Sequence, residues 1–86
     1  MKTVSYVIQD PLGLHARPAG QLAKAAMAWK DCDIKITVGE KTVDAKRIMG
    51  VMQLGAKGGS TLTLTISGGE EDKAAAALEE FLKANL

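Results

Sequence analysis

The chain has 86 residues and carries 11 basic and 10 acidic side chains, which give a formal net charge of +1. This length predicts one domain over residues 1–86. The near balance of charge, with one Trp, one Tyr and one Phe, disfavours nucleic acid as a partner. The single cysteine, Cys32, and the lack of a long apolar run predict a cytoplasmic protein without membrane insertion. We expect a monomer whose partners are proteins.

The first clear pattern covers residues 2–9, where Val4, Tyr6 and Ile8 alternate with mostly polar side chains. A period of two is typical of a strand with one buried face. Residues 10–13 follow, and their proline and glycine favour a turn. The sequence therefore predicts a first strand that ends in a tight loop.

Residues 16–28 show helical spacing with an alanine-rich apolar side. The members of that side are Ala19, Leu22, Ala23 and Ala26. Arg17, Gln21 and Lys24 share the opposite side, because residues three or four apart lie above one another on a helix. Gln21 and Lys24 are therefore candidates for contact with a visiting protein, and an ordinary solvated helix surface is the alternative.

His15 is the only histidine, and it stands immediately before this helix. A helix that starts at Ala16 leaves the N–H groups of Ala16 and Arg17 without partners, and Pro18 in the first turn has no N–H to lose. These donors and the Arg17 guanidinium suit a phosphate attached to the imidazole. We expect His15 and Arg17 to carry the chemistry, with Ala16 and Arg17 binding the phosphate. The alternative is a structural histidine that only caps the helix.

The rest of the chain shows further strand and helix patterns. Alternating apolar residues predict strands at 33–38 and 60–67, and a shorter strand at 42–45 follows a turn at Gly39-Glu40. Residues 70–84 predict a last helix, which begins with acidic side chains. Its expected buried side is Ala75, Leu78, Phe81 and Leu82.

A short apolar helix is predicted within residues 47–54. A helix of two turns faces the core with one side only, and Val51 and Leu54 have the spacing for that side. Three apolar side chains then stay exposed, namely Ile48, Met49 and Met52. They predict a surface that adapts to protein partners, and a helix sunk into the core is the alternative. The complete order is βαββαβα, an α+β fold in which three helices cover one face of a four-stranded sheet.

Two motifs, GLHARPA at 13–19 and KRIMGVMQLG at 46–55, resemble HPr, the family of histidine-containing phosphocarriers of the bacterial sugar phosphotransferase system. The resemblance runs through the whole chain. It implies an open-faced β-sandwich with an antiparallel sheet in which the fourth strand lies between the first and the second. It also implies a carrier intermediate, not a self-contained catalyst, that uses neither a cofactor nor a metal.

In this family, enzyme I is phosphorylated from phosphoenolpyruvate and passes the phosphoryl group to the carrier histidine, from which the A domain of a sugar-specific enzyme II takes it. The resemblance assigns that role to His15, with the phosphate on Nδ1. It also implies that partners dock on the first helix and the short helix. The matching docking residues are Gln21, Lys24, Arg47, Ile48, Met49 and Met52.

The sequence departs from the family pattern at two positions. Leu12 stands where many members have Ser or Asn, and a leucine cannot make the polar contact of those residues. Arg47 stands where members with an IMGVM helix usually carry a regulatory serine. We therefore expect no phosphorylation by the bifunctional, ATP-dependent HPr kinase.

Three other functions fit parts of the pattern. A phosphocarrier of the nitrogen-related branch would use the same chemistry at His15 with other partners. An HPr-like regulatory binding protein would not need His15 and usually needs the missing serine. An acyl carrier of this size would be strongly acidic and would need a serine in an Asp-Ser-Leu setting, which this chain lacks.

Overall fold

A four-stranded antiparallel sheet forms the base of the molecule, and the computed structural model describes all of residues 1–86. The elements follow the predicted order βαββαβα. The strands are β1 (Lys2–Val7), β2 (Asp33–Val38), β3 (Lys41–Asp44) and β4 (Thr61–Ser67). The helices are α1 (Ala16–Met27), α2 (Ile48–Gln53) and α3 (Glu71–Asn85).

The strands lie side by side in the order β1-β4-β2-β3, and every neighbouring pair is antiparallel. The fourth strand therefore lies between the first and the second, as the family resemblance implies. β1 ends at Val7, two residues before its predicted end, although Ile8 is still buried. The predicted fold class, an open-faced sandwich, is confirmed.

Facing residues of antiparallel strands point to the same side of the sheet. The apolar residues of neighbouring strands face one another and therefore form one apolar face. Ile34 lies opposite Ile66, and Leu64 lies opposite both Ile36 and Val4. These residues are all buried, whereas the threonines that alternate with them along β4 are exposed or half-buried. The sheet therefore has a covered face under the helices and a wet face.

The helices differ in how well the sequence predicts their buried sides. The apolar side of α1 is buried as predicted, and its small side chains let the helix approach its neighbours closely. In α3 the buried line is instead Ala74, Leu78 and Leu82, because the packed positions advance by four residues. Ala75 and Phe81, both predicted to be buried, are only half-buried at the edge of the core.

None of the helices is both long enough and apolar enough to cross a bilayer.

Candidate functional site

His15 is the N-cap residue of α1, with extended backbone angles of φ −83° and ψ −175°. Its carbonyl oxygen accepts a hydrogen bond from the Ala19 N–H at 2.9 Å, which begins the helix. Its side chain makes no capping hydrogen bond, and the residue is exposed. The imidazole is therefore open to solvent at the helix entrance.

The first turn of α1 leaves positive partial charge beside this ring. The N–H groups of Ala16 and Arg17 donate to no backbone acceptor, and the third residue is Pro18, which has no N–H. The turn contains no acidic side chain that would neutralise the helix dipole. Arg17 is exposed and forms no ion pair with any of the chain's carboxylates. An anion at the imidazole would thus meet two free N–H donors and an unpaired guanidinium.

The loop before His15 is fixed by hydrogen bonds that its backbone N–H groups donate. Asp10 accepts two of them at 2.9 Å, one from the Leu12 N–H to its side chain and one from the Gly13 N–H to its carbonyl. Leu14 is buried, and its N–H donates to the Ala56 carbonyl at 2.9 Å. The chain therefore enters the helix from a defined direction.

A second segment, residues 56–60, packs against this loop, and the sequence patterns did not single it out. Gly59 donates to the Ile8 carbonyl at 2.8 Å, and a Cβ added to Gly58 would lie 2.8 Å from the Asp10 carbonyl oxygen. Lys57 is exposed, and its backbone lies against Gly13, which places another cation beside the loop of His15. The adjacent glycines were the available signal, since glycine often marks a close approach of two backbones.

The short helix α2 contacts α1 and leaves most of its apolar side chains outside the core. Val51 is 0% exposed and Leu54 is also buried. The exposed fractions of Ile48, Met49 and Met52 are 45%, 68% and 40%. An apolar group of this size on the surface of a small protein is typical of an interaction site.

The polar docking candidates are also on the surface of α1 and α2. Gln21 and Lys24 are exposed on α1, and Lys24 has no ion pair. Arg47 is the N-cap residue of α2 and makes no capping hydrogen bond. Its Nε lies 3.9 Å from Asp44 Oδ2, which is at the limit of a salt bridge between an exposed guanidinium and a half-buried carboxylate. The surface is therefore apolar in the part contributed by α2 and cationic at Lys24 and Arg47.

The free cysteine and the ion pairs at the start of β1 do not involve the site of His15. Cys32 is a buried free thiol. At the opposite end of β1, a hydrogen bond from the Met1 ammonium and another from the Gly68 N–H lower the pKa of Glu71. The partner carboxylate of Asp72 raises the pKa of Lys2. These ion pairs join the start of β1 to the first turn of α3.

Comparison with known proteins shows the family of this chain. A family model described as "PTS HPr component phosphorylation site" matches residues 2–84. Phosphocarrier protein HPr of Lysinibacillus sphaericus is 44% identical over 82 residues, which cover 95% of this chain and 92% of that protein. The structure of a histidine-containing phosphocarrier protein from Mycoplasma superposes with a TM-score of 0.92 at 36% identity, over 96% of this chain and 93% of the other. HPr from Thermoanaerobacter tengcongensis gives a TM-score of 0.90 at 36% identity, over 98% and 93% of the two chains. The chain therefore belongs to the HPr family of phosphocarrier proteins of the phosphotransferase system.

Proposed function

We propose that His15 carries the phosphoryl group, which it receives from phosphorylated enzyme I and passes to the A domain of a sugar-specific enzyme II. The observation that supports this proposal best is the exposed imidazole at the start of α1, without a hydrogen bond of its own, followed by two unpaired N–H donors. A nucleophile that must meet two different proteins in turn has to be reachable from solvent. His15 meets that requirement.

In each transfer one bond to phosphorus forms as another breaks. The Nδ1 atom of His15 attacks the phosphorus held by enzyme I, and the bond between that phosphorus and enzyme I breaks. In the second transfer the acceptor attacks, and the bond to Nδ1 breaks. The phosphoryl oxygens carry negative charge throughout, so donors that are already in place stabilise the transferring group.

The surroundings suit a carrier because they stabilise the phosphorylated form only moderately. The N–H groups of Ala16 and Arg17 supply two hydrogen bonds, and the Arg17 guanidinium can form a bidentate pair with phosphate oxygens. The site is open, so its charges act in a largely aqueous medium and are weakened by it. A phosphoryl group held in this way can leave as readily as it arrives.

Partner docking belongs to the surface formed by α1 and α2. Flexible thioethers such as those of Met49 and Met52 adapt to differently shaped partners, which suits a protein that serves one donor and several acceptors. The cations Lys24 and Arg47 give this surface a preference for acidic partners and speed their approach.

The protein would act as a monomer in the cytoplasm, with Cys32 reduced.

Regulation by serine phosphorylation at the start of α2 should be absent. Arg47 has no hydroxyl group, and it presents a permanent positive charge where a phosphate would favour the helix dipole. Incubation with ATP and the bifunctional HPr kinase should leave the mass of the protein unchanged. An ATP-dependent phosphoserine would contradict this part of the proposal.

The decisive experiment incubates the protein with enzyme I and phosphoenolpyruvate and measures the phosphate bound. Phosphohistidine is labile in acid and stable in base, so the expected product loses its phosphate at low pH only. His15→Ala and His15→Gln should both abolish labelling while the thermal melt stays unchanged, because His15 is exposed and its side chain supports no hydrogen bond. Acid-stable phosphate, or labelling of both variants, would contradict the proposal.

A further inference from the structure

The loop that leads to His15 presents a large apolar side chain to water. Leu12 is 71% exposed, more than any apolar residue of the α2 surface. An exposed leucine adds nothing to the core, and its aliphatic surface becomes favourable only when something apolar covers it. Because Leu12 lies close to His15 in the chain, a protein that exchanges a phosphoryl group with His15 is the candidate to cover it.

The backbone around Leu12 is held in place before any partner arrives. Its own N–H donates to Asp10 Oδ1 at 2.9 Å, and the Asp10 N–H donates to the Leu86 carbonyl at 2.7 Å. Gly58 closes the loop from the other side, where there is no room for a side chain beside Asp10. Leu12 is thus an aliphatic group on a fixed support, and burying it on docking orders little that is not already ordered.

A protein that exchanges a phosphoryl group with His15 has to cover Leu12. Leu12 and His15 are three positions apart in the chain, so their Cα atoms are at most about 11 Å apart. Transfer requires the partner's reacting atom within about 3–3.5 Å of its acceptor, and a standard interface covers roughly 800 Å² per partner. A circle of that area centred on the imidazole has a radius of roughly 16 Å and includes Leu12.

We propose that Leu12 is a specificity-determining docking residue that inserts into an apolar recess beside the phosphoryl-bearing residue of enzyme I. This inference rests on the proposed function. It adds a second apolar contact to that of α2, at a position that precedes His15 in the chain. The partner surface at this point is apolar and uncharged. Leu12 thereby selects against donors that present a polar group there, because burying that group against leucine leaves it without a hydrogen bond.

The test measures kcat and KM for phosphorylation of the carrier by enzyme I and phosphoenolpyruvate. Leu12→Ala should raise KM about tenfold with little change in kcat, since it removes apolar surface without adding a polar group, and a contact made equally before and during transfer affects binding alone. Leu12→Met should restore KM to within about twofold, because a thioether also fills an apolar recess. The rate of spontaneous phosphate loss from the phosphorylated carrier and the melting temperature should not change in either variant.

The matched control is Val7→Ala. Val7 is also an exposed apolar residue, but it lies in β1 next to the buried Ile8 and so points to the wet face of the sheet, away from α1 and α2. Its KM should equal that of the unmodified protein. A further pair, Leu12→Asp and Leu12→Lys, distinguishes an apolar recess from a charged surface, because both should raise KM if the recess is apolar.

The outcomes separate this inference from the function on which it rests. If the unmodified protein is phosphorylated on His15 but Leu12→Ala keeps its KM, or if either charged variant improves it, the role of Leu12 is overturned and the carrier function stands. If the unmodified protein takes no phosphate from enzyme I, both fail.

Discussion

Gly13 lies directly against the backbone of Ala56. The Ala56 carbonyl oxygen accepts the Leu14 N–H at 2.9 Å, and a Cβ added to Gly13 would overlap that same oxygen. Gly13 also has φ +68°, a left-handed conformation that costs other residues about 1–2 kcal/mol. Gly13→Ala should therefore lower the free energy of unfolding by about 2 kcal/mol or more, measured by urea denaturation.

Two other glycines separate the causes of this loss. Gly55 has φ +63° but open space around it, so Gly55→Ala should lose only about 1 kcal/mol for its conformation. Gly20 is helical with open space, so Gly20→Ala should raise the free energy of unfolding by about 0.5–1 kcal/mol. If Gly13→Ala is no less stable than Gly55→Ala, the close approach to Ala56 has no energetic consequence.

Arg17 is expected to matter for transfer and not for folding. Its side chain is exposed and has no ion pair, so Arg17→Ala should change the free energy of unfolding by less than about 0.5 kcal/mol. Loss of the guanidinium removes a charged donor from the transferring phosphoryl group and should slow the transfer from enzyme I by about 10–100-fold. Rapid-quench kinetics would measure this rate.

Lys24→Ala is the control for Arg17, because it removes another unpaired cation from the exposed side of α1. It should raise KM slightly through weaker attraction to an acidic partner and leave kcat unchanged. Equal kcat in Arg17→Ala and the unmodified protein would remove Arg17 from the transfer chemistry.

The elements of this fold were predictable because their patterns are local. The alternation in β4 and the split of α2 into a buried Val51 and an exposed Met49 both follow from counting positions within a few residues. The strand order was not predictable from residues alone, because alternation shows which side of a strand is buried and not which strand lies next to it. Only the family resemblance supplied that order.

The sequence patterns also missed the segment of residues 56–60, which packs against the loop of His15, because its contacts are not local. Ala56 and Gly58 contact residues more than forty positions earlier in the chain, and no local pattern reports such a contact. The predicted buried side of α3 was partly wrong, because Ala74 and Ala75 are the same residue type and the sequence alone does not show which of them is buried. In the structure α3 packs on β1, α1 and β4, and Ala74 is buried whereas Ala75 is half-buried.

The ion pair between Glu71 and the Met1 ammonium predicts how stability depends on pH. The ammonium hydrogen bond, with the Gly68 N–H, lowers the pKa of Glu71 from 4.5 in the folded protein. A lowered folded pKa means that this stabilisation is complete above pH 4.5 and is lost as the pH falls through the folded value. Urea midpoints of Glu71→Gln should therefore lie below those of the unmodified protein at pH 7, and the gap should close as the pH falls below 4.5.

Glu80→Gln is the control for Glu71, because Glu80 is an exposed residue of α3 without an ion pair. It should leave the urea midpoint unchanged at both pH values. A gap for Glu71→Gln that stays constant with pH would show that the substitution acts through packing or helix propensity instead.

Met49 and Val51 lie two residues apart on α2 and should respond in opposite ways to the same substitution. Met49 is exposed, so Met49→Asp should leave the melting temperature within a few degrees and raise KM for enzyme I through the loss of apolar contact. Val51 is fully buried, and Val51→Asp places an unpaired carboxylate in the core, at a loss of about 3 kcal/mol or more. Thermal melts and the KM of phosphoryl transfer distinguish the two. A large loss of stability in Met49→Asp would move Met49 from the docking surface into the structural core, and an unchanged KM would remove it from the interface.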